Sequence, residues 1–389
     1  MKKIVGIVTA TRAEYGLLSP VINELRKYDS EIETKVIVTG THLVSEFGET
    51  IREIQADGVK IDEKIHIIRE QCQSMDEIAA TALSEFGRYF SNCKMDMLIV
   101  LGDRYELLGI CTAAMLNKIP IAHLHGGEIT EGAMDEYIRH AITKLSYLHF
   151  TSTEEYRKRV IQLGESPERV VCVGALGIEN IVTTSLMSKD ELSESIGFLL
   201  NKPYVVATYH PVTLSENNVE QQLKSFLRVI KEHGEYQYII TKANADSGGE
   251  TINKLLEEFG KENENVLVVS SLGMRRYLSA VKYAEFVVGN SSSGIIEVPS
   301  LQVPTVNVGE RQKGRMQAES VINCGESYEE ISKAFEYAAS EEAKKIAQQV
   351  INPYGDGNTS KKIVFAIKKF LKEGNIGLQK KFYDIEFEV

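Results

Sequence analysis

Short, nearly continuous apolar runs alternate along the chain with longer stretches of helical period. Residues 4–9, 35–38, 97–101, 119–124, 149–151 and 170–173 read as strands. Most are rich in Val and Ile and show little polar alternation, the mark of parallel strands covered on both faces. Residues 17–28, 75–90 and 106–117 read as helices between them. A further helix over 154–163 follows Thr151-Ser152-Thr153, which supplies an N-cap.

The pattern then restarts. Strands are predicted at 205–209, 236–241, 266–269, 286–288 and 305–308, with helices at 221–232, 251–259 and 275–283. Residues 183–203 lack a strong strand and carry Ser, Lys, Asp and Glu before Asn201-Lys202-Pro203. The domain change is placed there, giving domains over 1–182 and 183–365 and a C-terminal segment over 366–389. Within the tail, 361–371 has helical period and is basic on one side. Two such series predict two doubly wound α/β domains. Right-handed crossovers put all strand C-terminal ends on one edge of each sheet, where ligands bind in this class. Two facing edges predict a cleft between the domains.

Composition narrows the function. A chain of 389 residues is too long for one ordinary core. Hydrophobic residues make up 43% and charged residues 25%, as in a folded domain rather than a disordered one. The net charge of −11 argues against nonspecific nucleic-acid binding and against an anionic membrane partner. It leaves room for a small anion held by a few local cations. The five cysteines, Cys72, Cys93, Cys111, Cys172 and Cys324, are scattered and form no CxxC. That pattern fits a reducing compartment and neither a disulfide framework nor a zinc ribbon. No apolar run approaches the roughly 18 residues of a membrane span. The start, Met1-Lys2-Lys3-Ile4-Val5, resembles a signal peptide, but Arg12 and Glu14 follow closely without a small-residue cleavage site. A first strand and a cytoplasmic protein are therefore expected.

The candidate chemistry sits just after the strands. Arg12 follows the first, where its guanidinium can grip a phosphate in bidentate fashion or simply pair with Glu14. No GxGxxG dinucleotide fingerprint is present there. Gly102-Asp103-Arg104 follows the strand over 97–101, with Asp103 either a site carboxylate or a helix N-cap. Next comes His123-Leu124-His125-Gly126-Gly127-Glu128, and strand periodicity places His123 and His125 on one side. The two glycines would let the backbone approach a ligand closely. Asp103, Glu128, Asp135 and His125 make a cluster suited to proton transfer, because crowded carboxylates push their pKa values apart. A metal site is the rival reading, and buried, backbone-satisfied histidines the bland one. In the second half, His210-Pro211 ends a strand, and Gly289-Asn290-Ser291-Ser292-Ser293-Gly294 precedes an apolar helix. Hydroxyls, backbone N–H groups and a helix dipole together suit a phosphate, or Ser291 is only a cap. Glu297 lies one turn on, able to accept from ribose hydroxyls, and 309–315 is a cationic loop containing Arg311, Lys313 and Arg315.

Several of these segments together resemble the hydrolysing UDP-N-acetylglucosamine 2-epimerases of bacterial sialic-acid biosynthesis. They are Thr11-Arg12-Ala13-Glu14-Tyr15, Gly102-Asp103-Arg104, His123-x-His125-Gly-Gly-Glu128, Asp135-Glu136-x-Ile138-Arg139-His140, and the run from Gly289 through Glu297 to Pro299. The likeness runs nearly end to end and includes Lys381-Phe382-Tyr383-Asp384-Ile385. It implies a glycosyltransferase-B type fold, two Rossmann-like domains with the C-terminal helix returning to the first. It implies conversion of UDP-N-acetylglucosamine and water to N-acetylmannosamine and UDP, by anti elimination through a glycal and then hydration. No cofactor and no required metal are implied, and relatives form homodimers or homotetramers. On this resemblance, Asp103, Glu128, Asp135, His125 and His210 are the candidate catalytic residues. Arg12, Arg104, Arg139, Asn244, Ser291, Ser292, Gly294, Glu297 and Arg315 are the candidate substrate-binding residues. One departure stands out: some members carry Glu where this chain has His125, so either His125 or Glu128 takes that acid/base role. The same motifs resemble epimerases of nucleotide-linked diacetylbacillosamine in legionaminic-acid synthesis. A glycosyltransferase of the same fold is a further alternative.

Overall fold

In the computed structural model, described over residues 2–45, 50–69, 74–130, 134–210, 219–243, 249–373 and 379–386, the strands form two parallel sheets. The described parts of Met1–Ile129, Ala133–Asn180 and Tyr354–Val389 make one compact unit. Those of Ile181–Pro353, with Thr130, make the other.

The first unit contains β1 (Lys3–Thr9), β2 (Ile32–Val38), β3 (Glu63–Lys64), β4 (Met97–Leu101), β5 (Ile121–Leu124), β6 (Leu148–Thr151) and β7 (Val170–Cys172). Their order is β3-β2-β1-β4-β5-β6-β7 and every pairing is parallel. Alternation along β1 shows why its run is continuously apolar. Val5 and Ile7 pack with Leu18 and Ile22 of the helix Arg12–Arg26 and Ile363 and Ile367 of the helix Thr359–Lys372. Ile4 and Val8 face the other way, with Phe86 of Met75–Asn92 and Ile110 of Tyr105–Leu116. Chain order reverses between β1 and β4, the switch point at which doubly wound sheets leave a crevice.

The second unit repeats the plan with β8 (Tyr204–Thr208), β9 (Gln237–Thr241), β10 (Val266–Val269), β11 (Val287–Gly289), β12 (Thr305–Val308) and β13 (Val321–Cys324). The order is β10-β9-β8-β11-β12-β13, again parallel, with the switch between β8 and β11. Val205, Ala207, Phe226, Phe286 and Phe335 form its core. Both sheets are therefore the doubly wound, Rossmann-like kind that the apolar pattern predicts.

The differences lie at edges and boundaries. Strands β3 and β13 were not predicted: one is two polar residues, and the other is a partly exposed edge. The helix Leu176–Thr183 runs through residue 182, and the units divide between Asn180 and Ile181. The chain rejoins the first unit at Tyr354, not at 366. There Tyr354 accepts from the Ala175 N–H at 2.7 Å and meets the Tyr156 hydroxyl at 3.2 Å. Glu179 caps the returning helix, accepting from the Ser360 N–H at 2.6 Å and from the Ser360 hydroxyl. The tail then lies on the same unit, where Lys380 donates to Glu165 at 2.7 Å and the Tyr383 N–H to Gly164 at 2.9 Å. Among the described residues, no helix is long and apolar enough to cross a membrane.

Candidate active site

The first unit gathers its polar side chains at the C-terminal ends of β1, β4 and β5. Asp103 follows β4, and Arg139 reaches it from the helix Met134–Leu145. Arg139 is 2% exposed, yet all three of its guanidinium nitrogens are used. Nε donates to Asp103 Oδ2 at 2.8 Å and Nη2 donates to the same oxygen. Nη1 donates to the Glu128 carbonyl at 2.7 Å and to Glu136 Oε2 at 2.8 Å. Burial disfavours the charge on Arg139, but Asp103, Glu128 and Glu136 outweigh it and raise its pKa. Asp103 is thus oriented by arginine and is not a helix cap; the N-cap of Tyr105–Leu116 is Arg104. Arg139 itself lies buried among its own partners, so the substrate-binding position read for it from the sequence is not where its guanidinium points.

His125 stands just beyond β5 in a left-handed conformation, φ 64°, costly for any residue with a side chain. The expected pairing of His123 and His125 on one face therefore fails, because the alternation stops at Leu124. His123 is fully buried, its Nε2 2.8 Å from the Gly102 carbonyl and its Nδ1 3.3 Å from the Thr143 hydroxyl. Burial holds it neutral, with a pKa down at about 3. With both nitrogens engaged by the protein, His123 is a core histidine and not half of a metal-binding pair. His125 instead brings Nδ1 to 3.3 Å from Glu128 Oε1, while its buried Nε2 has no partner. Glu128 is 7% exposed and its Oε1 accepts from the Ser152 hydroxyl at 2.9 Å. Gly127 (φ 78°) is required by the fold: a Cβ there would lie 2.5 Å from the Tyr156 carbonyl.

Three further candidates belong to this unit. Arg12 pairs with Glu53 at 3.0 Å and not with Glu14, whose carboxylate turns back to the Ala10 and Thr11 N–H groups. Arg104 donates Nε to Glu106 at 2.6 Å. Asp135 is exposed in the first turn of Met134–Leu145.

The second unit gathers His210, Asn290 and the serine loop at the β8/β11 switch. Asn290 locks the two strand ends together: its Oδ1 accepts from the His210 N–H at 2.7 Å and its Nδ2 donates to the His210 carbonyl at 2.8 Å. Gly289 (φ 136°) allows this, since a Cβ would sit 1.8 Å from the Thr208 carbonyl. Ser291 caps the next helix by accepting from the Ser293 N–H at 3.4 Å, and Ser293 accepts from the Tyr277 hydroxyl at 2.9 Å. That helix, Ser292–Ile296, is only five residues long, so the expected helix dipole is small and hydroxyls and backbone must do the holding. Gly294 is buried against Thr305, whose hydroxyl donates to its carbonyl at 3.0 Å, and Glu297 ends the helix half-buried. The cationic loop folds back onto this point, with Arg311 and Gln312 donating to the Asn290 carbonyl at 3.0 and 2.9 Å. Arg315 follows in the same turn. Asn244 and Pro211 lie outside the described residues.

The sequence reading did not single out Ser152, Glu106, Gln312 or the roles of Glu14, Glu136 and Asn290. Ser152 read as capping, Glu14, Glu106 and Glu136 lie in first helical turns that periodicity describes completely, and Asn290 and Gln312 lie in loops whose contacts are with distant residues.

Comparison with known proteins supports the epimerase family over almost the whole chain. Residues 23–368 match the family model of UDP-N-acetylglucosamine 2-epimerase. The chain is 41% identical over 389 residues to the polysialic acid biosynthesis protein P7 of Escherichia coli, covering 99% of this chain and 98% of that one. It is 38% identical to the GDP/UDP-N,N'-diacetylbacillosamine 2-epimerase (hydrolyzing) of Campylobacter jejuni, covering 99% and 100%. Among solved structures, the Neisseria meningitidis UDP-GlcNAc 2-epimerase bound to UDP-GlcNAc superposes with a TM-score of 0.72 at 22% identity, covering 94% and 100%. A UDP-N-acetylglucosamine 2-epimerase structure from Listeria monocytogenes gives 0.76 at 18%, covering 96% and 98%, which supports the two-domain glycosyltransferase-B type fold. The chain belongs to the UDP-N-acetylglucosamine 2-epimerase family.

Proposed function

We propose that this protein is a hydrolysing 2-epimerase that converts UDP-N-acetylglucosamine and water to N-acetylmannosamine and UDP. The observation that carries the reading is the pair of fixed acid/base groups at the C-terminal ends of β4 and β5. Asp103 is held by Arg139, and His125 is held in a strained conformation against Glu128 with Nε2 unpartnered. Elimination needs such groups. A base removes the C2 proton, the C1–O bond to the diphosphate breaks, and a 1,2-unsaturated sugar forms. Water then adds its oxygen to C1, and a proton returns to C2 from the opposite face. The sequence is redox-neutral overall, so no electron carrier enters its balance.

Roles follow from chemistry and position. His125 and Glu128 form one proton-transfer pair and Asp103 with Asp135 the other side of the exchange. Arg104 and Arg12 meet the anionic substrate from the first unit. The second unit holds the nucleotide: Ser291, Ser292 and Gly294 with His210 take the diphosphate, Glu297 the ribose and Arg315 the phosphate or sugar. A Neisseria meningitidis relative named as a UDP-N-acetylglucosamine 2-epimerase, 29% identical over 387 residues, supports the N-acetylglucosamine substrate. A second reading, the same reaction on nucleotide-linked diacetylbacillosamine, is favoured by the Campylobacter relative and by a Legionella pneumophila relative of that name at 33% identity. Parallel assays of UDP release from the two nucleotide sugars decide between them. Turnover of neither would reject the hydrolysing reaction, and release of an epimerised sugar still carrying UDP would make the enzyme nonhydrolysing.

A further inference from the structure

Beneath Arg104 lies an arrangement that the proposed reaction does not call for directly. Glu106, in the first turn of Tyr105–Leu116, is 2% exposed. Its Oε1 accepts from Arg104 Nε at 2.6 Å, while its Oε2 is buried without a partner. Glu14 approaches from the first turn of the neighbouring helix. It is 9% exposed and its Oε2 accepts from the Ala10 and Thr11 N–H groups at 2.7 and 3.0 Å. Arg104 thus hydrogen-bonds one buried acid, Glu106, and lies within electrostatic range of a second, Glu14.

A buried carboxylate with an empty oxygen is costly, and such a pair is weak support for the fold by itself. Its geometry is informative. A bidentate pair would consume both terminal nitrogens of Arg104. Contact through Nε takes the side of the guanidinium and leaves Nη1 and Nη2 unspent on Glu106. Tyr105 packs against the same group, its ring centre 5.5 Å from Arg104 Cζ. The Arg104 side chain remains 38% exposed, so a ligand at the strand ends can reach it. Glu14 is poorly placed to supply the counter-charge, since burial and then Glu106 push its pKa up to about 7. Glu106 is the acid that contacts Arg104 directly.

We infer that Glu106 is a positioning residue, which turns Arg104 so that its terminal nitrogens meet the diphosphate end of a UDP-sugar. This rests on the functional reading above. A positioned arginine contributes to ground-state and transition-state binding alike, so its loss should appear in KM before kcat.

The test is steady-state UDP release, with whichever of UDP-N-acetylglucosamine and UDP-diacetylbacillosamine the wild type turns over. Glu106→Gln, which keeps the shape and removes the charge, should raise KM about 10-fold with kcat within about 3-fold. Arg104→Ala should do the same, and the double variant should be no worse than Arg104→Ala alone, the signature of two residues acting as one unit. Glu106→Asp keeps the carboxylate and should recover part of the loss; if the glutamine variant does not fold, the aspartate variant in the two Arg104 backgrounds gives the same reading. Unchanged KM in Glu106→Gln, or effects that multiply in the double variant, would overturn the inference while leaving the functional reading intact. A folded wild type that turns over neither substrate defeats the functional reading, and this inference with it.

Discussion

Arg139 donates both Nε and Nη2 to a single oxygen of Asp103, Oδ2. The remaining nitrogen ties in Glu136 and the Glu128 carbonyl, joining β4's end to the loop after β5. One buried cation thereby fixes the direction of the acid to which the proposed reaction assigns proton transfer.

Lysine cannot reproduce that geometry, because one ammonium cannot span three acceptors. Arg139→Lys should lower the UDP release rate by roughly 100-fold through lost orientation. It should also cost about 2 kcal/mol of stability, since a buried charge loses matched partners. Urea denaturation beside the rate assay checks both, and an unaffected rate would show that Asp103 needs no orienting.

His125 predicts an opposite pairing of effects. Asn tolerates the left-handed backbone but cannot exchange a proton near neutral pH. His125→Asn should lose at least about 100-fold in turnover, the usual worth of a general acid or base. Its stability should change by less than about 1 kcal/mol. A stability loss matching the activity loss would mark His125 as structural.

Glu14 should leave a signature in the pH dependence of stability. Its pKa is raised from the ordinary 4.5 to about 7, first by burial and then by Glu106. The folded protein keeps this proton where the unfolded chain releases it. The stabilisation is therefore complete below about 4.5 and lost as pH rises through about 7. Relative to Glu14→Gln, the wild type should lose on the order of 1 kcal/mol per pH unit across that window. Denaturation curves at pH 5, 6, 7 and 8 test this, and parallel curves for the two proteins would contradict it.

The fold was legible in the sequence because buried parallel strands are nearly pure Val, Ile and Leu. β1, β4 and β10 show it most plainly, and the serine loop and Gly-Asp-Arg could be placed at strand ends from that alone. What was not legible depends on contacts between distant residues. His123 and His125 look equivalent by alternation, yet β5 ends between them and one ring goes to the core. Arg139 looks like a ligand-binding cation until its three acceptors are seen to be the protein's own. The chain's return at Tyr354 was missed because it rests on a tyrosine pair and a glutamate cap, not on a hydrophobic period.

The tail provides a further test. Glu165 is 1% exposed; burial raises its pKa, but His149, Lys144 and Lys380 outweigh this and bring it down to about 2. A depressed carboxylate contributes stability above about 4.5 that is lost as pH falls through about 2. Lys380→Met removes one of the three partners. It should lower stability at pH 7 by about 1–3 kcal/mol and move acid unfolding to higher pH. Acid titration followed by circular dichroism reads the shift, and an unmoved midpoint would show that the tail is not needed there.

The central claim, elimination followed by hydration, is tested most directly by turnover in D₂O followed by proton NMR. The account predicts free UDP together with a free 2-epimerised sugar whose C2 position carries solvent deuterium. Release of a sugar that keeps its original C2 proton, or an epimerised sugar still joined to UDP, would contradict it.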